Sequence, residues 1–406
     1  MVAKPIVPDE LLEQIIDIVA GAAPNFLTGY HDHDKTASDV LAFLLACAVA
    51  CQACLPRCRY YLFGNIAIKT PQMRSKFQNL VEESQPWGPV MYVRGLFVKC
   101  GLQDDITADR PFLEAVSKLT SLQSLEFRGT NYIWGDLSGK VFGPLVHLHD
   151  LTLVDCSFVQ RDLWRILQSC PRLIQLRLRF VTISDWENAD EIELPAEPTH
   201  RIEYLDVGAG CARVVDWFVR GYLDPSALRT LYIDTEGYRP FVRVARQLLC
   251  QVGPSLKTLS LALPEDANEF DFFRNELDLS PLTHLETIKF DALEHEALSC
   301  IVPLLSRVRP EYLTEVSIRS FFMTNSRQCT ENCTRAVERC LLQFPRLRRL
   351  TSRVWPGSEA DNSSFFQQKF VELVQSGVKV EVGGDEESFR PVSLSDSVDL
   401  PTSRRS

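Results

Sequence analysis

Apolar positions recur along this chain in the pattern L-x-x-L-x-L. The copies are YVRGLFV (Val93, Leu96, Val98), SLQSLEF (Leu122, Leu125, Phe127), HLHDLTL (Leu148, Leu151, Leu153), RLIQLRL (Leu173, Leu176, Leu178) and RIEYLDV (Ile202, Leu205, Val207). They continue as ALRTLYI (Leu228, Leu231, Ile233), SLKTLSL (Leu256, Leu259, Leu261), HLETIKF (Leu285, Ile288, Phe290), YLTEVSI (Leu313, Val316, Ile318) and the weaker RLRRLTS (Leu347, Leu350). The first apolar positions lie 25 to 29 residues apart, with one last interval of 34. A period of this length and form is the signature of a leucine-rich repeat. Within each copy the last two apolar residues alternate as in a short strand. Between copies the spacing is helical. RDLWRILQSCP places Leu163, Ile166 and Leu167 on one face, and RPFVRVARQLLCQVGP places Phe241, Val244, Ala245 and Leu248 on one face and stops at Gly253-Pro254. Strand–helix units at this period predict an α/β solenoid with a parallel sheet on its concave side and helices outside.

Two segments interrupt the pattern. SDWENADEIELPAEP (184–198) holds six acidic and no basic residues, and PEDANEFDFFRNELDLSP (264–281) is acid-rich with one arginine. Both read as loops, either solvated insertions or ligand-selecting segments. Residues 383–406 hold few large apolar side chains and are expected to be a disordered tail.

Ahead of the repeats, VPDELLEQIIDIVA predicts a helix opened by Pro8, with Asp9 and Glu10 in the first turn and an apolar stripe through Leu11, Leu12, Ile15, Ile16 and Val19. A second helix is expected from Asp39 toward Pro56. It carries Cys47, Cys51, Cys54 and Cys58 at separations of 4, 3 and 4. The triplet resembles the cluster motif of radical-SAM enzymes, which sits on a loop. On one continuous helix the four thiols form a stripe too long to share one ion, so the expectation is core packing and no metal.

Composition changes the picture little. A formal net charge of −10 argues against nucleic acid as the main partner, and no run of eighteen apolar residues points to a membrane span. Thirteen cysteines without a secretory pattern read as reduced thiols, consistent with a cytoplasmic or nuclear protein. No phosphate-binding loop, dinucleotide fingerprint or zinc-protease motif occurs, so neither catalysis nor a cofactor is expected. HDHD (31–34), His147 with His149, and Cys329, Cys333 and Cys340 read more simply as surface or core residues than as metal ligands.

The N-terminal residues resemble the F-box motif of fungal F-box proteins. Val7, Pro8, Glu10, Leu11, Ile15, Ile16, Cys47, Cys51, Leu55, Pro56, Arg57, Leu62 and Phe63 match its pattern. Cys54 departs from it, standing where the family usually has tryptophan, and Ala50 stands where it usually has valine. An F-box followed by leucine-rich repeats resembles the substrate receptors of SCF-type ubiquitin ligases. The resemblance implies three parts: a helical module at 1–65, a solenoid at 66–382 and the tail at 383–406. It implies that Pro8, Glu10, Leu11, Leu12, Ile15, Ile16, Cys51, Leu55 and Pro56 dock on a Skp-family adaptor, linking the chain indirectly to a cullin–RING core. The solenoid would hold a protein substrate. By strand alternation Arg177, Arg179, Tyr204, Asp206, Tyr232 and Asp234 point out of the core at the centre of the concave face and are the expected substrate contacts. A leucine-rich-repeat scaffold that never joins a ligase is the alternative.

Overall fold

The structure is a computed structural model. It describes residues 9–21, 35–83, 88–100, 109–131, 137–184, 200–235, 238–264, 267–292, 298–309, 311–320, 327–354 and 370–382. The segment 185–199, the tail 383–406, Pro8 and HDHD lie outside them.

Three helices come first: α1 (Asp9–Gly21), α2 (Lys35–Ala50) and α3 (Leu55–Phe63). Only Gly64 then separates α3 from the first strand. The sheet runs β1 (Asn65–Ile68), β2 (Gly95–Lys99), β3 (Ser124–Asn131), β4 (Asp150–Val159), β5 (Gln175–Arg179), β7 (Tyr204–Gly208), β8 (Thr230–Asp234), β9 (Thr258–Ala262), β10 (Thr287–Ala292), β11 (Glu315–Ser320), β12 (Arg349–Val354) and β13 (Lys379–Val382). All neighbours are parallel, and β6 (Thr182–Ser184) pairs with the end of β4. The helices between strands are α4 (Pro71–Glu83), α5 (Arg110–Ser117), α6 (Leu137–Phe142), α7 (Gln160–Ser169), α8 (Ala212–Trp217), α9 (Arg239–Val252), α10 (Ala267–Glu276), α11 (Leu298–Leu305), α12 (Arg327–Leu341) and α13 (Val371–Gln375).

Each of the ten motifs became a strand, β2 to β5 and β7 to β12. Their first apolar strand residues stack in register: Leu96, Leu125, Leu151, Leu176, Leu205, Leu231, Leu259, Ile288, Val316 and Leu350 are all buried. Burying each stabilises the stack by about 1.5–3 kcal/mol, and a neighbouring repeat supplies the cover that one repeat lacks. His200 ties the chain down where it returns from the 185–199 segment. It is buried, its Nε2 lies 2.9 Å from the Leu167 carbonyl, and its ring stacks on Tyr222.

The segment 264–281 is not an interrupting loop. Residues 267–276 form α10, which buries Phe270 and Phe273, with Leu277 buried just beyond its end. Phe270, Phe273 and Leu277 share one helical face, and the acids occupy the rest.

The cysteine-bearing helix is also corrected. α2 ends at Ala50, and residues 51–54 form a turn before α3. The cause is Pro56 in the first turn of α3. It has no N–H to give to the Gln52 carbonyl, and its ring excludes that carbonyl, so the chain breaks and Pro56 opens a new helix. The four thiols still converge: Cys54 and Cys58 are buried with Ile16, Val40 and Leu44, and Cys47 and Cys51 pack against them. Burial, then contact with the Cys51 thiol, pushes Cys54 up to about 11, so it stays protonated. Among the described residues no group of three or more His, Cys, Asp or Glu is placed to hold a metal ion. None of the described helices is long and apolar enough to cross a membrane.

Candidate functional site

Two surfaces stand out, one on the helical module and one on the sheet. On the module, the Asp17 carboxylate of α1 accepts both forks of Arg57 on α3, Nε at 2.6 Å and Nη2 at 2.6 Å, and the Tyr61 hydroxyl at 3.0 Å. The Arg57 guanidinium holds that carboxyl below its usual range. This clamp sets the roll of α1. Ile16 and Ala20 point into the module core, with Leu12 and Val19 packed against it. Leu11, Ile15 and Ile18 point the other way and are 49%, 46% and 73% exposed. The helix is therefore apolar on two faces, one residue out of phase.

α2 repeats the device. Val40 and Leu44 are buried, while Leu41, Leu45 and Val49 are exposed. Of the expected docking residues, then, Leu11, Ile15 and Pro56 are exposed, Leu12, Cys51 and Leu55 are half-buried, and Ile16 is a core residue that no partner reaches. Pro8 and the side chain of Glu10 lie outside the described residues. Ile18, Leu41, Leu45 and Val49 were not anticipated, although the spacing 11–15–18 beside 12–16–19 carries the signal.

On the sheet, strand alternation sets three rows across the concave face. The middle row reads Phe97, Glu126, Thr152, Arg177, Asp206, Tyr232, Ser260 and Lys289. Arg128 and Arg179 lie two residues further along β3 and β5, and Tyr204 two residues back on β7. The six expected substrate residues share this face, but they are not equally open. Asp206 is fully buried and accepts from Arg179, Nη2 to Oδ2 at 2.6 Å; its Oδ1 has no hydrogen-bond partner. The Arg179 guanidinium also lies 5.0 Å from the Tyr232 ring centre, and Tyr232 is buried beneath it. Arg177 covers Tyr204 at 4.9 Å. So Asp206 and Tyr232 form the floor, and Arg177, Arg179, Tyr204 and Asp234 remain half-exposed.

Burial raises the carboxyls here. Glu126, paired with Arg128, is pushed up to about 7 against the pull of Arg177 and Arg179, and Asp150 and Asp206 are raised for the same reason. Burial, then the neighbouring Arg179 charge, brings Arg128 down to about 10. Between an unfolded value near 4.5 and a folded value of about 7, the folded state holds more protons at Glu126 than the unfolded state does. Stability therefore falls as pH rises through that window. The urea midpoint of the wild type is expected to drop between about pH 5 and about pH 8, and Glu126→Gln to lose that component. Parallel pH profiles for the two proteins would show that Glu126 does not titrate there.

No family model matches this chain, and no curated protein matches it. Among solved structures, the fold is similar to the crystal structure of the Rad7 and Elc1 complex in yeast, with a TM-score of 0.38 and 13% identity over 96% of this chain and 94% of that chain. It is also similar to an internalin (inlF) from Listeria monocytogenes, with a TM-score of 0.30 and 14% identity over 80% of this chain and 73% of that chain. The architecture itself defines the class: an α/β leucine-rich-repeat solenoid headed by a three-helix module.

Proposed function

We propose that this chain is a non-catalytic receptor subunit of an SCF-type ubiquitin ligase. The outward apolar faces of α1 and α2 dock on a Skp-family adaptor, which joins the chain to a cullin–RING core, and the solenoid holds the protein to be modified. The carrying observation is the second apolar face of each helix. The module core is already supplied by Ile16, Val40, Leu44, Cys54 and Cys58, so among the described residues Leu11, Ile15, Ile18, Leu41, Leu45 and Val49 are left outside it. Apolar surface of this kind marks a protein interface. Because only Gly64 separates α3 from β1, and its carbonyl accepts the Arg94 and Gly95 amides, an adaptor seated on the module would be held in fixed relation to the solenoid. A bound target would then sit at high effective concentration before the ligase.

The second reading, an interaction scaffold outside any ligase, is favoured by Cys54. It is buried in the module core and offers no aromatic anchor at the position where the resembling family has tryptophan. Co-expression with a Skp-family adaptor distinguishes the two. The first reading expects a complex that survives size-exclusion chromatography, and failure to form one favours the scaffold.

A further inference from the structure

Two of the module's four thiols are placed unlike the others. Cys51 and Cys54 bracket the turn between α2 and α3, in the motif C-Q-A-C. The Cys54 amide donates to the Cys51 carbonyl at 3.2 Å and closes that turn. A turn of this kind holds its end Cα atoms within about 7 Å, and a disulfide spans Cα separations of about 4.4–6.8 Å. The Cys51 and Cys54 thiols are already in contact, whereas Cys47 and Cys58 reach Cys54 through charge alone. Their surroundings also differ. Cys54 is buried, and Cys51 is only half-buried, so it has the Cys54 thiol on one side and access to solvent on another. Exchange through a disulfide needs that arrangement, with attacker and leaving group on opposite sides of the sulfur attacked.

We infer that Cys51 and Cys54 form a reversible redox modification site, closed to a disulfide by a low-molecular-weight disulfide such as glutathione disulfide. The Cys51 thiolate attacks one sulfur of glutathione disulfide, forming a mixed disulfide and releasing one glutathione. Cys54 then gives up its proton and attacks the Cys51 sulfur, forming the protein disulfide and releasing the second glutathione. The protein loses two electrons and two protons, and glutathione disulfide takes up both to become two thiols. Burial is the main cause that keeps Cys54 protonated, and its contact with Cys51 and the Cys51 charge come next. The mixed disulfide removes that charge, so Cys54 ionises more readily once Cys51 is capped. In a reducing compartment such a bond is transient and reports redox state; it is not a permanent staple. The site belongs to the module's own turn and stands whether or not an adaptor docks.

The test is a glutathione redox titration of the full chain, quenched in acid, alkylated and mapped by fragment mass spectrometry. With reduced glutathione held at about 1 mM, the Cys51–Cys54 bond should be half formed at a glutathione disulfide level at least about tenfold below the level that half-modifies the exposed Cys250, because the second thiol is already in place. Thiols that persist at both positions until Cys250 is modified would overturn the inference. A first bond joining Cys47 to Cys51 or Cys54 to Cys58 would overturn it equally. Both outcomes are read in the wild type, so neither depends on a variant folding. Two variants then check the order of attack. Cys54→Ala, which keeps the core apolar, should strand a glutathione mixed disulfide on Cys51. Cys51→Ala should leave Cys54 as a thiol, because burial keeps glutathione from it. An unmodified Cys51 in the first, or glutathione on Cys54 in the second, would sink the proposed roles of the two sulfurs.

Discussion

Arg179→Ala is expected to destabilise the solenoid by about 3–5 kcal/mol near neutral pH, the usual consequence of stripping one partner from a buried ion pair. Asp206 has no exposure at all, and Arg179 is its one ion-pair partner among the described residues. Its Oδ1 already lacks a hydrogen bond, so the variant would leave the carboxylate with no hydrogen-bond donor among the described residues and only the Arg177 charge to oppose its burial. The loss of the guanidinium above Tyr232 adds to this, by about 1 kcal/mol. The only escape is protonation. Burial already raises the Asp206 carboxyl against the opposing pull of Arg179, and without Arg179 it rises further. The folded variant then holds a proton that the unfolded chain has released, so its deficit is small in acid and deepens as pH rises. Urea midpoints measured from acid to mildly alkaline pH check both size and direction. Arg179→Met with Asp206→Leu, which removes both charges and keeps the volume, should recover most of the loss. A deficit under about 1 kcal/mol for Arg179→Ala, or one that does not vary with pH, would mean that Asp206 reaches water.

How much of this was legible in the sequence depends on the range of the interaction. The ten strands were, because each repeat signals its own buried positions locally. β1 and β13 were not: NIAI and KVEV are four residues each and lack the leading leucine. α10 was hidden by its acids, although Phe270, Phe273 and Leu277 carry the helical period. The break before α3 was in plain view as Pro56, but the even spacing of the cysteines suggested continuity. On the concave face, alternation correctly placed Asp206 among the outward residues. It could not show that Arg179, one strand away, would fold over it, because cross-strand pairing follows from register and not from either motif alone. The same limit applies to α1. A stripe of five apolar residues reads as one face until the Asp17–Arg57 clamp fixes which of them turn inward.

That division of α1 makes the docking face testable by contrast. Leu11→Asp with Ile15→Asp is expected to abolish co-purification of a Skp-family adaptor while leaving the helical signal and thermal melt of the chain unchanged. Both side chains are half-exposed in the free chain, so the new carboxylates stay hydrated there and cost little. In a complex they would be desolvated against an apolar partner surface without a counter-charge, a penalty well beyond the 2 kcal/mol that marks a single hot spot. Ile18→Asp and Val49→Asp, at positions still more open to solvent, should each weaken the complex in the same way without disturbing the fold. Ile16→Asp is the opposite case. One residue from Ile15, it would place a charge among Val40, Leu44, Cys54 and Cys58 and melt the module, so binding and structure should be lost together. Unimpaired adaptor binding by Leu11→Asp with Ile15→Asp would remove α1 from the interface. Equal damage to the fold by that pair and by Ile16→Asp would mean that α1 does not sit as the Arg57 clamp places it.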